Sequence, residues 1–291
     1  MMFVPLLGQI VFASAQIQGA ACPERGGELC SLKTLHKGAW IETLYRGLDF
    51  TPTAGWQGRG PWLWPATGKG DPLPFHGFVR DMKWNVAGQT KDSVTLTLGD
   101  TAGTRAKYPY GFKIVADFKA SGRAAVMRYR VAASPANKSA MPFTAGNHIT
   151  FKTPLVPGSD PLRMTLETPS TVEYLKVNGA PTGETKPRSL ARAAPLGEFD
   201  ARTAVSLGGY AGDPVMTLRD PAGLAVRISH TATAAPSGPL VRFNMWGDPA
   251  AGYFSPEPWV GLQDAHRLQQ GLVRLEPGSN WEWVVRVEFI D

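Results

Sequence analysis

The chain has 291 residues, of which 43% are hydrophobic and 19% are charged, so it carries enough apolar material for a large buried core. Its 32 glycines and 25 prolines interrupt every candidate for a long helix, which excludes coiled coils and helical bundles. The net charge of +6 is spread along the chain without basic runs, a pattern that does not favour nucleic-acid binding.

The amino terminus is apolar and reads MMFVPLLGQIVFASA over residues 1–15. It ends in Ala13-Ser14-Ala15, the small-x-small form of a secretory cleavage site, so we predict a signal peptide over residues 1–15 and a single mature domain over 16–291. This predicts a periplasmic or secreted protein. A first strand or a misassigned start codon is the alternative, with a cytoplasmic location. No later segment is apolar enough to span a membrane.

Two cysteines, Cys22 and Cys30, flank a turn rich in proline and glycine. In an exported protein such a pair favours a disulfide that closes a small loop. A metal site is not expected here, because no cluster of histidine or cysteine accompanies the pair.

From Glu28 onward, short runs of alternating or β-branched residues are separated by turn residues. The clearest predicted strands are Ser93–Leu98, Phe112–Phe118, Ala125–Val131, Leu224–Ser229 and Trp281–Phe289. Period-two alternation is typical of antiparallel sheets with one buried face, so we predict one large all-β domain. The polar, basic segment 179–195 predicts an exposed loop.

The last of these runs also predicts which of its faces is buried. One face carries Trp281, Trp283, Val285, Val287 and Phe289. The other carries Glu282, Arg286 and Glu288, with Val284 as the exception. We therefore expect this strand to have one face in the core and the other in water.

Three residues stand out as candidates for acid and base chemistry. His76 and His148 each lie in a loop made rigid by proline and glycine, and Glu257 lies between Pro256 and Pro258, next to Trp259. An apolar setting would raise the pKa of Glu257 toward the range useful for a base at neutral pH. No histidine pair has metal-ligand spacing, and there is no nucleophile elbow, P-loop or dinucleotide fingerprint.

These residues lie within a series of motifs in a fixed order. The series comprises Gly38–Leu44, Trp56–Pro65 (WQGRGPWLWP), His76–Arg80 (HGFVR), Tyr108–Phe112, Met141–His148 (MPFTAGNH) with Phe151, Phe199–Ala201, Asn244–Trp246, Glu257–Trp259 (EPW) and Gly271–Gly278. In this order the motifs resemble those of the aldose 1-epimerases, or mutarotases, and most closely a subgroup with an H-G-F-x-R motif. The resemblance covers residues 30 to 291.

The resemblance implies a large antiparallel β-supersandwich and the interconversion of α and β anomers of a free hexose. It implies that Glu257 is the base for the anomeric hydroxyl and that His148 is the acid for the ring oxygen. By the same resemblance, the sugar is bound by His76, Arg80, Asp200, Lys69 and Trp246. No metal, nucleotide or flavin is implied, and the expected partner is a monosaccharide or a sugar reducing end.

Two departures from the family pattern leave the substrate open. Lys69 stands where many relatives have arginine, and Gln57 stands where relatives acting on hexose 6-phosphates carry an arginine. Lys69, Arg80 and Arg59 could still favour an anionic sugar such as a uronate. A non-catalytic carbohydrate-binding sandwich is the other alternative, since fold alone does not settle function. We expect a monomer or a weak dimer.

Overall fold

A computed structural model describes residues 8–45, 59–177, 180–200, 203–236 and 238–291 of the chain. Within these ranges strands dominate and the paired strands run antiparallel, so the predicted all-β fold is confirmed. In the described part of the chain, no helix is long and apolar enough to cross a bilayer.

The strands follow one another with few helical turns between them. In chain order they are β1 (Ile10–Ala13), β2 (Ile17–Cys22), β3 (Glu28–His36), β4 (Ala39–Glu42), β5 (Trp62–Leu63), β6 (Asn85–Gln89), β7 (Ser93–Gly99), β8 (Phe112–Ser121), β9 (Ala124–Ala133), β10 (Met141–Phe143), β11 (Ala145–Asn147), β12 (Phe151–Lys152), β13 (Thr165–Thr168), β14 (Val172–Val177), β15 (Ala180–Pro187), β16 (Leu190–Pro195), β17 (Val205–Gly208), β18 (Val215–Arg219), β19 (Ala225–Ala232), β20 (Val241–Asp248), β21 (Tyr253–Gly261), β22 (Val273–Leu275) and β23 (Asn280–Ile290). The helical elements are α1 (Ala102–Lys107), α2 (Ala265–Leu268) and 3-10 turns at Val79–Asp81, Pro161–Arg163, Leu196–Glu198 and Pro249–Ala251.

Two large sheets form the body of the sandwich. One has the strand order β16-β13-β18-β19-β23-β9-β8-β7-β6, and the other has the order β15-β14-β17-β20-β21-β11-β5, with β12 also paired to β21. A smaller sheet, β1-β2-β3-β4, packs against β7 and β8, and β10 pairs with β22. The sequence-predicted strands all lie in the first large sheet.

The alternation of β23 has the predicted consequence for burial. Its tryptophans, valines at 285 and 287, and phenylalanine are at most 2% exposed, whereas the intervening residues are half-buried. Between the two large sheets, the His230 ring joins β23 to β20, because its Nδ1 accepts from Trp283 Nε1 and its Nε2 donates to the Arg242 carbonyl. Burial lowers the pKa of His230 to about 3, so it packs as a neutral, fully bonded core residue.

The segment predicted as an exposed loop, 179–195, forms strands over most of its length. β15 pairs with β14 and β16 pairs with β13, each at an edge of a large sheet. An edge strand needs only one partner and tolerates exposed charges and proline, so Lys186 and Arg192 stay in water while the backbone is paired. The loop prediction for 179–195, which rested on polar composition, was therefore wrong, because the segment contains two edge strands.

The apolar amino terminus takes part in the fold from Ile10 onward. Phe12 is fully buried in the main core, and its strand partner Gly19 leaves room for the ring: a Cβ at position 19 would lie 2.2 Å from it. Cleavage after Ala15 would therefore remove strand β1. Residues 1–7 lie outside the described ranges, and the leader stays a prediction.

The two cysteines are joined across the turn that connects β2 to β3. Cys22 and Cys30 form a disulfide with a Cα–Cα distance of 6.0 Å, and both are buried with Ala20 in a small apolar cluster. The bond closes the turn and fixes the start of β3, where Glu28 begins the strand.

If β1 is part of the folded protein, Phe12→Ala in the full-length chain should cost about 3–5 kcal/mol of unfolding free energy, because it leaves a large cavity in the core. Urea unfolding measures this. The control Gln16→Ala lies on an exposed position of the same segment and should stay within about 0.5 kcal/mol of wild type. Equal stability of both variants and wild type would contradict the placement of β1.

Candidate active site

One cavity of about 430 Å³ opens on the face of the second large sheet, within the size range of small-molecule sites. Its described lining residues are Gly68, Phe75, His76, Arg80, His148, Ala204, Asn244, Trp246, Glu257, Trp259 and Gln263. The fold thus brings together five of the seven residues that the sequence assigns to catalysis or sugar binding, from four separate motifs.

A larger and shallower groove of about 780 Å³ lies elsewhere, between the segments around 234–239 and 269–274. Among its described lining residues Arg274 is the one charged side chain, and it donates to Gln269. Because the groove holds no acid–base pair, the smaller cavity is the candidate site.

The position of His148 follows from strand register. β21 pairs with β11 through Gly146 and Trp259, and with β12 through Phe151 and Phe254, and the register is the same on both sides of the unpaired gap. Extending this register across the gap places His148 directly opposite Glu257. The two side chains share one face, with His148 Nε2 3.7 Å from Glu257 Oε1.

The gap lies where β21 carries Pro256 and Pro258. Proline has no N–H, so it cannot donate to a neighbouring strand, and it is tolerated in a sheet only where a partner is missing. The two prolines therefore fit an interruption in the pairing between β11 and β12, while the other edge of β21 stays paired through Asn244 and Glu257. The motif that marks Glu257 in the sequence thus interrupts the pairing of β21 with the segment that carries His148, whose own N–H donates to the Pro61 carbonyl instead.

The Glu257 carboxyl group is 1% exposed and accepts two hydrogen bonds. Asn244 Nδ2 donates to Oε1 at 2.9 Å and Trp259 Nε1 donates to Oε2 at 3.1 Å. Asn244 is itself held by Ser206, whose hydroxyl donates to Asn244 Oδ1. Burial raises the pKa of Glu257 to about 8, against the lowering effect of the two donors and of the Lys176 charge. The direction agrees with the sequence-based expectation.

His148 is shifted the opposite way. Burial lowers its pKa to about 4, and the Arg80 charge adds to the lowering. Because burial opposes the charge on each partner, His148 and Glu257 together hold one proton between about pH 4 and pH 8, and it resides mainly on Glu257. An ion pair formed by moving that proton to His148 is the less populated arrangement of the same state.

His76 faces His148 at a ring-centroid distance of 5.4 Å. The Gly68 N–H donates to His76 Nδ1, which assigns the ring proton to Nε2, and burial keeps the pKa of His76 well below its usual range. His76 is therefore a neutral donor. Its φ of +67° and that of Gly77 (+72°) form a left-handed turn, and a Cβ at 77 would lie 2.1 Å from the Trp64 carbonyl oxygen. The turn thus requires glycine at position 77.

The three basic residues that the sequence places near the cleft have different surroundings. Arg80 lines the cavity and is 3.9 Å from Asp81 at its margin. Arg59 Nε lies 2.7 Å from the buried Glu28, whose pKa burial raises to about 7. Lys69 is exposed, and its carbonyl accepts from the Asp264 N–H. Among the described lining residues, Arg80 is the one arginine or lysine that reaches the cavity.

The aldose 1-epimerase family matches residues 13–208, which is more than half of the chain. The chain belongs to the aldose 1-epimerase family. No curated protein matches it at a significant level. The H-G-F-x-R subgroup stays a prediction for this family member.

Several solved structures share its fold, among them two described as galactose mutarotase related or galactose mutarotase-like. A galactose mutarotase related enzyme from Lactobacillus acidophilus has a TM-score of 0.82 at 18% identity, with 97% of each chain covered. A galactose mutarotase-like protein from Lactobacillus casei has a TM-score of 0.76 at 20% identity, covering 97% of this chain and 100% of that one. A protein from Synechocystis has a TM-score of 0.78 at 22% identity, with 99% of each covered.

Two residues assigned to sugar binding are not on the cavity wall of this epimerase family member. Lys69 follows Gly68, which does line the cavity, but the chain turns there and directs the lysine to solvent. Asp200 is exposed just after the turn Leu196–Glu198, and residues 201–202 lie outside the described ranges. Trp56 and Gln57 also lie outside them. The structure therefore gives neither Lys69 nor Asp200 a contact with the cavity.

The structure also adds residues to the site. Asn244 and Trp259 hold the Glu257 carboxyl group, and Phe75, 55% exposed, packs against His76 at the mouth of the cavity. A signal for the first two exists in the sequence, because Asn244 alternates with Trp246 and Trp259 with Glu257, which puts each pair on one strand face. Of the other motif tryptophans, Trp62 and Trp64 are buried in the core.

If the Trp259 indole stabilises the charged form of Glu257, then Trp259→Phe should raise the pKa of Glu257 above about 8, because the phenyl ring keeps the packing but removes the donor. Infrared titration of the carboxyl band measures this. Trp281→Phe is the control, since its indole donates to the Ala234 carbonyl instead. An unchanged Glu257 titration in Trp259→Phe would show that the hydrogen bond has no electrostatic role.

Proposed function

We propose that this chain is an aldose 1-epimerase that interconverts the α and β anomers of a free hexose by opening and closing the sugar ring. The observation that carries the proposal is the Glu257–His148 pair, whose side chains lie 3.7 Å apart in one cavity and whose pKa values burial shifts in opposite directions. Family membership supports the reaction class.

Ring opening of a hemiacetal needs a base and an acid at two oxygens of the same carbon. In the proposed step, the Glu257 carboxylate takes the proton of the anomeric hydroxyl while His148 protonates the ring oxygen, and the bond between the anomeric carbon and the ring oxygen breaks. Rotation of the aldehyde and closure on its other face return both protons. The oxygens that exchange protons are bonded to one carbon, which suits an acid and a base this close together.

The reactive form is the arrangement with the proton on His148, and after ring opening the proton is on Glu257. Both arrangements belong to the same one-proton state, so the pair returns to its starting charge after each turnover. His76 Nε2–H can donate to a sugar oxygen without competing for that proton, because its pKa is held well below the usual range. Arg80 can donate to hydroxyls from the same wall.

An anionic substrate receives less support than a neutral hexose. Arg59 is already matched by Glu28, and Lys69 points away from the cavity. Among the described lining residues, Arg80 is the one cation that could meet a carboxylate or phosphate, and the cavity that it lines also contains Glu257. A purely binding role would give no reason for a shared proton between two buried groups.

With freshly dissolved α-glucose and α-galactose, wild-type protein should speed the approach to anomeric equilibrium in polarimetry. Glu257→Gln and His148→Asn should each lower the rate about 100-fold or more, because each removes one of the two proton-transfer groups. Glu282→Gln, a matched change on the distant strand β23, should have no effect. Full activity in both site variants would mean that the acid and base are misassigned.

The shared proton predicts a bell-shaped pH dependence of kcat/KM. Below about pH 4 both groups are protonated and there is no base, and above about pH 8 neither holds a proton and there is no acid. The rate should therefore fall about tenfold per pH unit outside these limits. Polarimetry corrected for the uncatalysed reaction in each buffer tests this. Activity that keeps rising above pH 9 would contradict the one-proton requirement.

A further inference from the structure

Lys176 is a half-buried cation beside the site that no motif of the sequence singles out. It lies on β14, and its Nζ donates to the Ala204 carbonyl at 2.7 Å. Ala204 lines the cavity. This hydrogen bond ties the ammonium group to a residue of the cavity wall.

Strand register places Lys176 next to the polar row that contains Glu257. Tyr174 pairs with Ser206, Ser206 with Asn244, and Asn244 with Glu257, and all four side chains share one face of the sheet. Lys176 lies two residues after Tyr174, beyond an irregularity in the pairing of β14 with β15, and its Nζ reaches the Ala204 carbonyl just before β17. Ala204, to which Lys176 is hydrogen-bonded, and Trp246 both line the cavity.

The acidic residue on the same strand as Lys176 already has cationic partners. Glu173, on the same strand, lies 3.1 Å from Lys186 Nζ and 3.5 Å from Arg188 Nη1. Glu257 faces the neutral donors of Asn244 and Trp259 and the histidine with which it shares a proton. Among the described lining residues Glu257 is the one carboxyl group, and a nearby cation favours its charged form over the protonated form that predominates below about pH 8.

We propose that Lys176 is a positioning residue of this site, whose ammonium charge draws the shared proton away from Glu257 and toward His148. The proposal rests on the proposed function, because it concerns the arrangement in which Glu257 acts as the base. Lys176 does not line the cavity and does not contact the sugar in this role.

The charge states of the groups agree with this role. Burial lowers the pKa of Lys176 to about 8, while the charges of Glu257 and Glu173 oppose the lowering. Lys176 is therefore mainly cationic below about pH 8 and loses its charge above it. On the other side of the cavity, Arg80 and His76 face His148, and the Arg80 charge disfavours a proton there. Lys176 acts on the opposite partner and counters that effect.

The test compares Lys176→Met, which removes the charge and keeps most of the stem, with Lys176→Arg, which keeps the charge. In Lys176→Met the plateau of kcat/KM should fall about tenfold and the alkaline limb should move up by about one pH unit, because Glu257 holds its proton more tightly. Lys176→Arg should stay near wild type. Lys186→Met, which removes an exposed cation on the adjacent strand, should change neither feature.

A purely structural role for Lys176 would lower the plateau without moving the alkaline limb upward. If Lys176→Met does not fold, Lys176→Gln replaces it, since the amide can still donate to the Ala204 carbonyl but carries no charge. The proposal would be overturned if the variant without the charge kept both the wild-type plateau of kcat/KM and the wild-type alkaline limb. It would also be overturned if that variant lost rate while its alkaline limb stayed in place.

Infrared titration of Glu257 in the sugar-free protein separates this proposal from the proposed function. If the neutral variant raises the pKa of Glu257 while wild type shows no mutarotation, the Lys176 proposal stands and the function fails. If wild type is active but the titration of Glu257 is the same in all variants, the function stands and the Lys176 proposal is overturned.

Discussion

The site depends on the burial of one carboxyl group, that of Glu257. An isolated charge in such surroundings would be very costly, so the group must be hydrogen-bonded, neutralised or both. Asn244 and Trp259 supply the hydrogen bonds and His148 supplies a place for the proton. The chemistry proposed for the cavity uses this compromise, because a proton that is held only moderately by either partner can be exchanged between them.

The sandwich makes this compromise possible by giving each strand of the second large sheet two different faces. On β20, Phe243 and Met245 are buried in the core while Asn244 and Trp246 line the cavity. The core face holds the strands in register, and register sets the distances between polar side chains on the opposite face. Packing far from the cavity is therefore what brings Ser206, Asn244, Glu257 and His148 into one row.

Much of the fold was predictable because alternation within one strand reveals its buried face, as in β23. The strands β15 and β16 were not, since their edge positions allow a polar composition that looks like a loop. The acid–base pair could be proposed through family motifs, whereas the roles of Asn244 and Lys176 depend on pairing between strands that are far apart in sequence. A single sequence does not encode such register in a readable form. The sugar-binding roles of Lys69 and Asp200 stay predictions, and neither is among the described residues that line the cavity.

The interruption between β11 and β12 also limits the insertions and deletions that the fold can accept. Three residues, His148 to Thr150, connect β11 to β12 without backbone pairing to β21. The register with β21 is nevertheless the same before and after these three residues. Adding or deleting one residue there would turn the side chains on one side of the change to the opposite face of the sheet. A loop of ordinary character would accept such a change in length. The length of this stretch, together with the hydrogen bonds from the His148 N–H to the Pro61 carbonyl and from the Thr150 N–H to the Arg59 carbonyl, keeps the imidazole and the carboxyl group on the same side of the sheet.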